Sequence, residues 1–146
     1  MNFIKVGSAC PITKVADVDF NLNEIKKCVE KAIEEQVKIL VFPELSITSY
    51  SCADLFFQQK LLKKAEVAIE NLCVFSEGRD ILFAVGAPFE YDDVLYNAAY
   101  LIFNGKVLGI VPKSYLPNTS EFYEKRWFSS GLNITSRIVK LPFQDN

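Results

Sequence analysis

The chain has 146 residues, half of them apolar, and a formal net charge of −2, which suits one globular domain with a real core. No lysine or arginine run exceeds a pair, so no electrostatic footprint for nucleic acid is present, and no stretch of about 18 apolar residues offers a membrane span. The absence of any histidine excludes Ser-His-Asp and Cys-His machinery within these residues. With Cys10, Cys28, Cys52 and Cys73 widely spaced, no zinc site of the usual spacing exists, and no metal is expected.

The opening MNFIKVGSACP lacks the apolar core of a signal peptide, because Lys5 interrupts it; a soluble, cytoplasmic protein is the expectation. On that footing the Asn-x-Ser/Thr triplets at Asn118 and Asn133 are accidental. Phe3–Ala9 reads as a first strand, ended by Pro11. From Asn21 to Val37, Leu22, Ile25, Val29, Ala32 and Ile33 recur at helical spacing with lysines and glutamates between them, predicting an amphipathic helix capped by Asp19 or Asn21. Ile39–Phe42 is continuously apolar and too short for a helix, as in a strand covered on both faces, and Pro43 stops its ladder. A second helix, with a possible break, runs from about Ala53 to Phe75 and buries Leu61, Leu62, Ala65, Ala68, Ile69, Leu72 and Cys73.

Ser76–Asp80 is a turn, Ile81–Tyr91 a buried strand, and Asp92-Asp93 another turn. Leu95–Phe103 and Lys106–Val111 flank Asn104-Gly105, whose two positions suit the positive φ angles of a type I′ hairpin turn. Strand, helix, strand, helix and three more strands give a mixed α/β layered domain with helices over a sheet. SYLPNTSEFYEKRWFSSG then brings aromatics and turn residues, and Arg137–Phe143 is a last candidate strand. No closing helix follows, so the chain is expected to be cut from a longer one.

Glu44 and Lys113 share one placement: each leaves a buried strand beside a proline, Pro43 or Pro112, at the sheet end where α/β proteins bind ligands. Either they are solvated charges of the kind that often follow strands, or they meet as a functional pair. Cys10, Cys28 and Cys73 fall in the first strand or on apolar helix faces and read as core; Cys52 lies in the loop after Glu44. Phe122, Tyr123, Trp127 and Phe128, without a basic groove beside them, read as core or subunit contact.

FPEL at 42–45, SYSCADLF at 49–56, VPKSYLPN at 111–118 and EFYEKRWF at 121–128 resemble, in this order, the nitrilase (carbon–nitrogen hydrolase) superfamily and, within it, the N-terminal glutaminase domain of glutamine-dependent NAD synthetases. The resemblance covers almost the whole chain. It implies a nitrilase-like α-β-β-α sandwich of which residues 1–146 are the N-terminal portion, with the rest of that domain and a synthetase domain beyond. It also implies roles: Glu44 as general base, Lys113 stabilising an oxyanion, Glu124 in the pattern E-x-x-x-F-x-x-G as second glutamate with Glu121 its rival, and Tyr50 and Phe122 lining a glutamine pocket. The family's nucleophilic cysteine belongs to a later segment, and Cys52 does not take its place, so the chain alone is expected to be inactive. Two positions depart from the family pattern: Ser49 stands where glycine is usual, and Thr119 where tyrosine is common.

Partners follow from the same resemblance: glutamine here, deamido-NAD and ATP with Mg on the synthetase domain, and a homo-oligomeric assembly. No glycine-rich phosphate cradle exists in this chain, so no cofactor is expected in this segment. Two rival readings remain. One is a non-catalytic nitrilase-like domain for binding or assembly; the other is a free-standing nitrilase-type amidase.

Overall fold

The computed structural model describes residues 3–135 and 138–144. Its strands are β1 (Val6–Ser8), β2 (Ile39–Val41), β3 (Leu82–Tyr91), β4 (Val94–Phe103) and β5 (Lys106–Pro112), and they form one sheet in that order. β1, β2 and β3 run parallel, while β4 and β5 return antiparallel. Helices α1 (Val18–Glu34) and α2 (Gln59–Ser76) make the two parallel crossovers. Successive right-handed βαβ units that step the same way across a sheet leave both helices on one face. The two helices pack on each other, and α2 packs on β3, β4 and β5.

That one-sidedness corrects the expectation for β2. Leu40 is 3% exposed, facing the helices, whereas Ile39 and Val41 are 37% and 49% exposed. Strand side chains alternate between faces, and the opposite face carries no layer among the described residues. Val6, paired with Ile39, and Val111, paired with Ala99, share this open apolar face.

Other boundaries shift for local reasons. β1 is three residues long rather than seven. α1 starts earlier than its apolar spacing suggests, because Asp17, not Asp19 or Asn21, is the N-cap and accepts a hydrogen bond from the Phe20 amide at 3.2 Å. Asn21 is instead fully buried in the first turn. Its side chain bonds both backbone groups of Lys14 and the Ile47 carbonyl, tying α1 to the loop after β2. α1 ends at Glu34, and Gln36 follows in the left-handed region (φ 60°). The predicted break lies at Gln58, between a kinked 3₁₀ stretch over Tyr50–Phe57 and α2. Arg137 lies outside the described residues, and Ile138–Phe143 forms no strand; there the Gln144 side chain pairs with both backbone groups of Val107 on the edge strand β5.

The hairpin turns are of the expected kind, with positive φ at Asn104 and Gly105 and again at Asp92 and Asp93. Gly86 on β3 has a different purpose. A Cβ there would lie 2.9 Å from Pro43 O and from the Glu44 carbonyl carbon, so the segment leaving β2 rests directly on bare backbone. The Ile47 amide completes this approach by donating to Gly86 O at 3.1 Å. In the loop that follows, Ser49 holds φ 69°, ψ 150°, a region almost reserved for glycine.

Two substitutions test this account. Gly86→Ala should destabilise the chain by about 1–3 kcal/mol in denaturant unfolding, because the 43–45 backbone must move; a neutral result would mean that the close approach is not real. Ser49→Gly should relieve more strain than glycine's added unfolded-state entropy costs, raising Tm by about 3 °C, whereas a lower Tm would deny the strain.

Candidate active site

Three charged side chains converge where β2 and β5 end. The Phe42 amide still bonds Ala84 O, extending the parallel ladder one residue past β2; Pro43 has no N–H to continue it, and the chain turns at Glu44 and Leu45 (φ 51°). Lys113 follows Pro112 directly. Its amide donates to Asn97 O at 2.7 Å, and its carbonyl accepts from Gly131 at 2.9 Å. Gly131 is needed there, since a Cβ would sit 2.6 Å from Pro112 O. Glu124 opens a 3₁₀ turn, Glu124–Arg126, and its side chain is 2% exposed.

Lys113 Nζ is the centre of the cluster. It lies 2.9 Å from Glu44 Oε1, 3.0 Å from Glu44 Oε2 and 2.9 Å from Glu124 Oε1, so all three ammonium protons have carboxylate acceptors. Tyr50 Oη donates to Glu124 Oε1 at 2.7 Å, and Asn97 Nδ2 donates a short hydrogen bond to Glu44 Oε1. Glu124 Oε2 is buried with no hydrogen-bond partner among the described residues, an arrangement that costs about 1–3 kcal/mol unless another group arrives.

Burial pulls the Lys113 pKa down, but hydrogen bonds from Nζ to Glu124 and Glu44, together with their charges, outweigh it and leave the value above the ordinary 10.5. A raised cation pKa stabilises the fold fully below 10.5, and this contribution fades as pH climbs through the folded-state value. Lys113 is therefore charged throughout the neutral range. Burial first, then the hydrogen bond to Glu124, pushes the Tyr50 hydroxyl well above its usual range, so it remains a donor.

An exposed clasp joins the two segments that carry Tyr50 and Glu124. Asp54 receives Arg126 Nε at 2.7 Å, Arg126 Nη2 at 2.8 Å and Trp127 Nε1 at 2.9 Å, and the Arg126 guanidinium holds its carboxyl well below the usual range, helped by Trp127. Beneath it Phe56 meets Phe128 edge-on at 4.9 Å between ring centroids. The aromatic group is thus divided: Phe128 is core, Trp127 is partly buried, and Phe122 and Tyr123 face outward.

Of the residues singled out in the sequence, Glu44, Lys113, Glu124 and Tyr50 come together. Glu121 and Phe122 are exposed and stand outside this hydrogen-bonded cluster, so of the two rival glutamates it is Glu124 that faces Lys113. Asn97 and Gly86 escaped the sequence reading. Asn97 had a signal, as a polar residue in the middle of the apolar run 94–103; Gly86 had none beyond its small size. None of the cysteines belongs to the hydrogen-bonded cluster. Cys52 is buried with Sγ 2.9 Å from Thr48 O, and burial raises its pKa; burial does the same to Cys28 and pushes Cys73 up to about 11. These three are thiols, not thiolates, at neutral pH.

A cavity of about 440 Å³ opens beside the charges, lined by Glu44, Asn97 and Lys113 with Val41, Ala84 and Val111 of the open sheet face. It is in the size range of small-ligand sites. Hollows of about 500 and 690 Å³ lie against residues 138–144, but their linings bring no buried carboxylate against a lysine.

Known proteins resemble this chain in sequence and in fold. The chain is 33% identical over 129 residues to a glutamine-dependent NAD(+) synthetase of Mycobacterium leprae (strain TN), a match that takes 88% of this chain and 19% of that protein. The crystal structure of a glutamine-dependent NAD(+) synthetase from Cytophaga hutchinsonii superposes with a TM-score of 0.79 at 35% identity, covering 87% of this chain and 22% of that one. The chain thus spans about a fifth of the length of the synthetases it matches. The NitN amidase from Neterenkonia sp. AN1, at 23% identity, shares the fold with a TM-score of 0.73 over 85% of this chain and 49% of its own. The architecture is accordingly the α/β fold of nitrilase-like proteins, present as part of such a domain. The profile described as carbon-nitrogen hydrolase matches residues 6–143, from the first strand through the glutamate–lysine cluster to the last described segment, and the chain belongs to the carbon–nitrogen hydrolase family.

Proposed function

We propose that this chain is the N-terminal part of a glutaminase domain that supplies ammonia for the ATP-dependent amidation of deamido-NAD to NAD. The observation that carries the reading is Lys113 held between Glu44 and the buried Glu124 at the rim of a cavity. The similarity to glutamine-dependent NAD(+) synthetases supports it. On this reading the nucleophilic cysteine, the ATP and Mg site and the deamido-NAD site belong to segments beyond Asn146 of a homo-oligomeric cytoplasmic enzyme.

Glu44 takes the proton of the cysteine thiol, and the sulfur attacks the side-chain carbonyl carbon of glutamine. The carbonyl oxygen becomes an oxyanion beside Lys113. Protonation of Glu44 frees one of the three Lys113 donors as that negative charge forms, so the cation can turn toward it without losing Glu124. The C–N bond then breaks, Glu44 returns its proton to the departing nitrogen, and ammonia leaves a glutamyl thioester. Water, deprotonated by Glu44, attacks the thioester carbon; the C–S bond breaks, the thiol regains its proton, and glutamate is released. Tyr50 holds Glu124 in place through its hydroxyl.

The state of the cysteines favours one rival. With three of them held as thiols outside the cluster, a natural chain of this length would be a binding or assembly domain rather than a catalyst.

In the full-length protein, Glu44→Gln should lower glutamine-dependent synthesis by at least about 100-fold while synthesis from added ammonia continues. Equal loss of both would count against a glutaminase role for Glu44. The 146-residue chain alone should release no ammonia from glutamine, and release that disappears in Lys113→Ala would return the nucleophile to Cys52.

A further inference from the structure

We propose that Asn97 is a positioning residue for Glu44: its side-chain amide fills one acceptor site of Oε1 and thereby assigns proton transfer to Oε2. This rests on the glutaminase reading above. Each carboxylate oxygen offers about two acceptor sites. Oε1 receives both Asn97 Nδ2 and Lys113 Nζ, whereas among the described residues Oε2 receives Lys113 Nζ alone, at 3.0 Å. The acceptor site that no described protein donor takes is therefore on Oε2, on a side chain that is 39% exposed. A thiol proton taken there removes the Lys113 bond to Oε2 and leaves the two bonds to Oε1 intact, so the carboxyl group does not rotate when it changes charge.

The same residue holds both partners. Asn97 lies in β4 between Tyr96 and Ala98, 2% exposed, and its carbonyl accepts the Lys113 amide at 2.7 Å. One strand position thus sets the separation between the carboxylate from the β2 exit and the ammonium from the β5 exit. A buried asparagine in an otherwise apolar strand needs its amide satisfied, and Glu44 is the acceptor that satisfies it. The amide is neutral, so it orients Glu44 without competing with Lys113 for charge. The charged or titratable groups near Glu44 are Lys113 after β5 and, from the two 3₁₀ segments, Tyr50 and Glu124.

Asn97→Asp tests this, because it keeps the shape and the backbone bond to Lys113 but replaces the donor by a carboxylate. Ammonia release from glutamine by the full-length protein would be followed against pH, with synthesis from added ammonia as the control for folding. The acid limb of kcat/KM should move up by about one pH unit, since a second carboxylate disfavours ionised Glu44. The plateau kcat should fall about tenfold with KM for glutamine changed less than about threefold. Asn97→Ala should lower kcat similarly without moving the limb. A profile of Asn97→Asp that coincides with the native one, while Glu44→Gln is inactive, overturns the role of Asn97 alone; ammonia release that survives in Glu44→Gln overturns Glu44 as the base, and a native full-length protein that releases no ammonia from glutamine overturns the glutaminase reading itself.

Discussion

One ammonium group is shared by two carboxylates, and the site depends on that arithmetic of charge. Glu124 is deeply buried, and the cation it meets is Lys113, whose other donors are turned to Glu44. The cluster therefore carries one excess negative charge when all three groups are ionised. An arriving proton on Glu44 neutralises that excess without uncovering Glu124. In the proposed mechanism this lets Glu44 act as the base while Lys113 stays paired with Glu124.

The rest of the fold serves to hold those three groups within hydrogen-bond distance. Parallel β1–β3 point their carboxyl ends to one rim, and the antiparallel return through β4 brings β5 back to the same rim, so Glu44 and Lys113 leave the sheet side by side. Two glycines make this possible: Gly86 lets the Pro43–Leu45 backbone lie on β3, and Gly131 lets its own segment lie on Pro112. Glu124 arrives from a loop with little regular structure. It is fixed by Tyr50, by the Asp54–Arg126 clasp and by Phe56 against Phe128. The strand exits of the sheet supply Glu44 and Lys113, and clasped loops supply Glu124.

Much of this was legible before any coordinates. The period of α1 and α2, the Asn104-Gly105 turn and the paired strand exits at Glu44 and Lys113 follow from local patterns that tertiary contacts do not override. What escaped were features set by long-range packing. The helix cap fell to Asp17 because Asn21 is drawn inward by Lys14 and Ile47. β2 looked fully buried because its apolar run says nothing about which layers cover it, and here one face is open. Glu121 and Glu124 could not be told apart by spacing, since only the fold decides which faces Lys113. Asn97 showed only as a polar residue in an apolar run, its meaning lying in a partner 53 residues away.

The most direct measurement is covalent labelling of the full-length protein by a glutamine analogue with an electrophilic carbon in place of the amide, read by peptide mass spectrometry. The account predicts one labelled cysteine, located after Asn146, with labelling strongly slowed by Glu44→Gln. Label on Cys10, Cys28, Cys52 or Cys73, or labelling indifferent to Glu44, would contradict it.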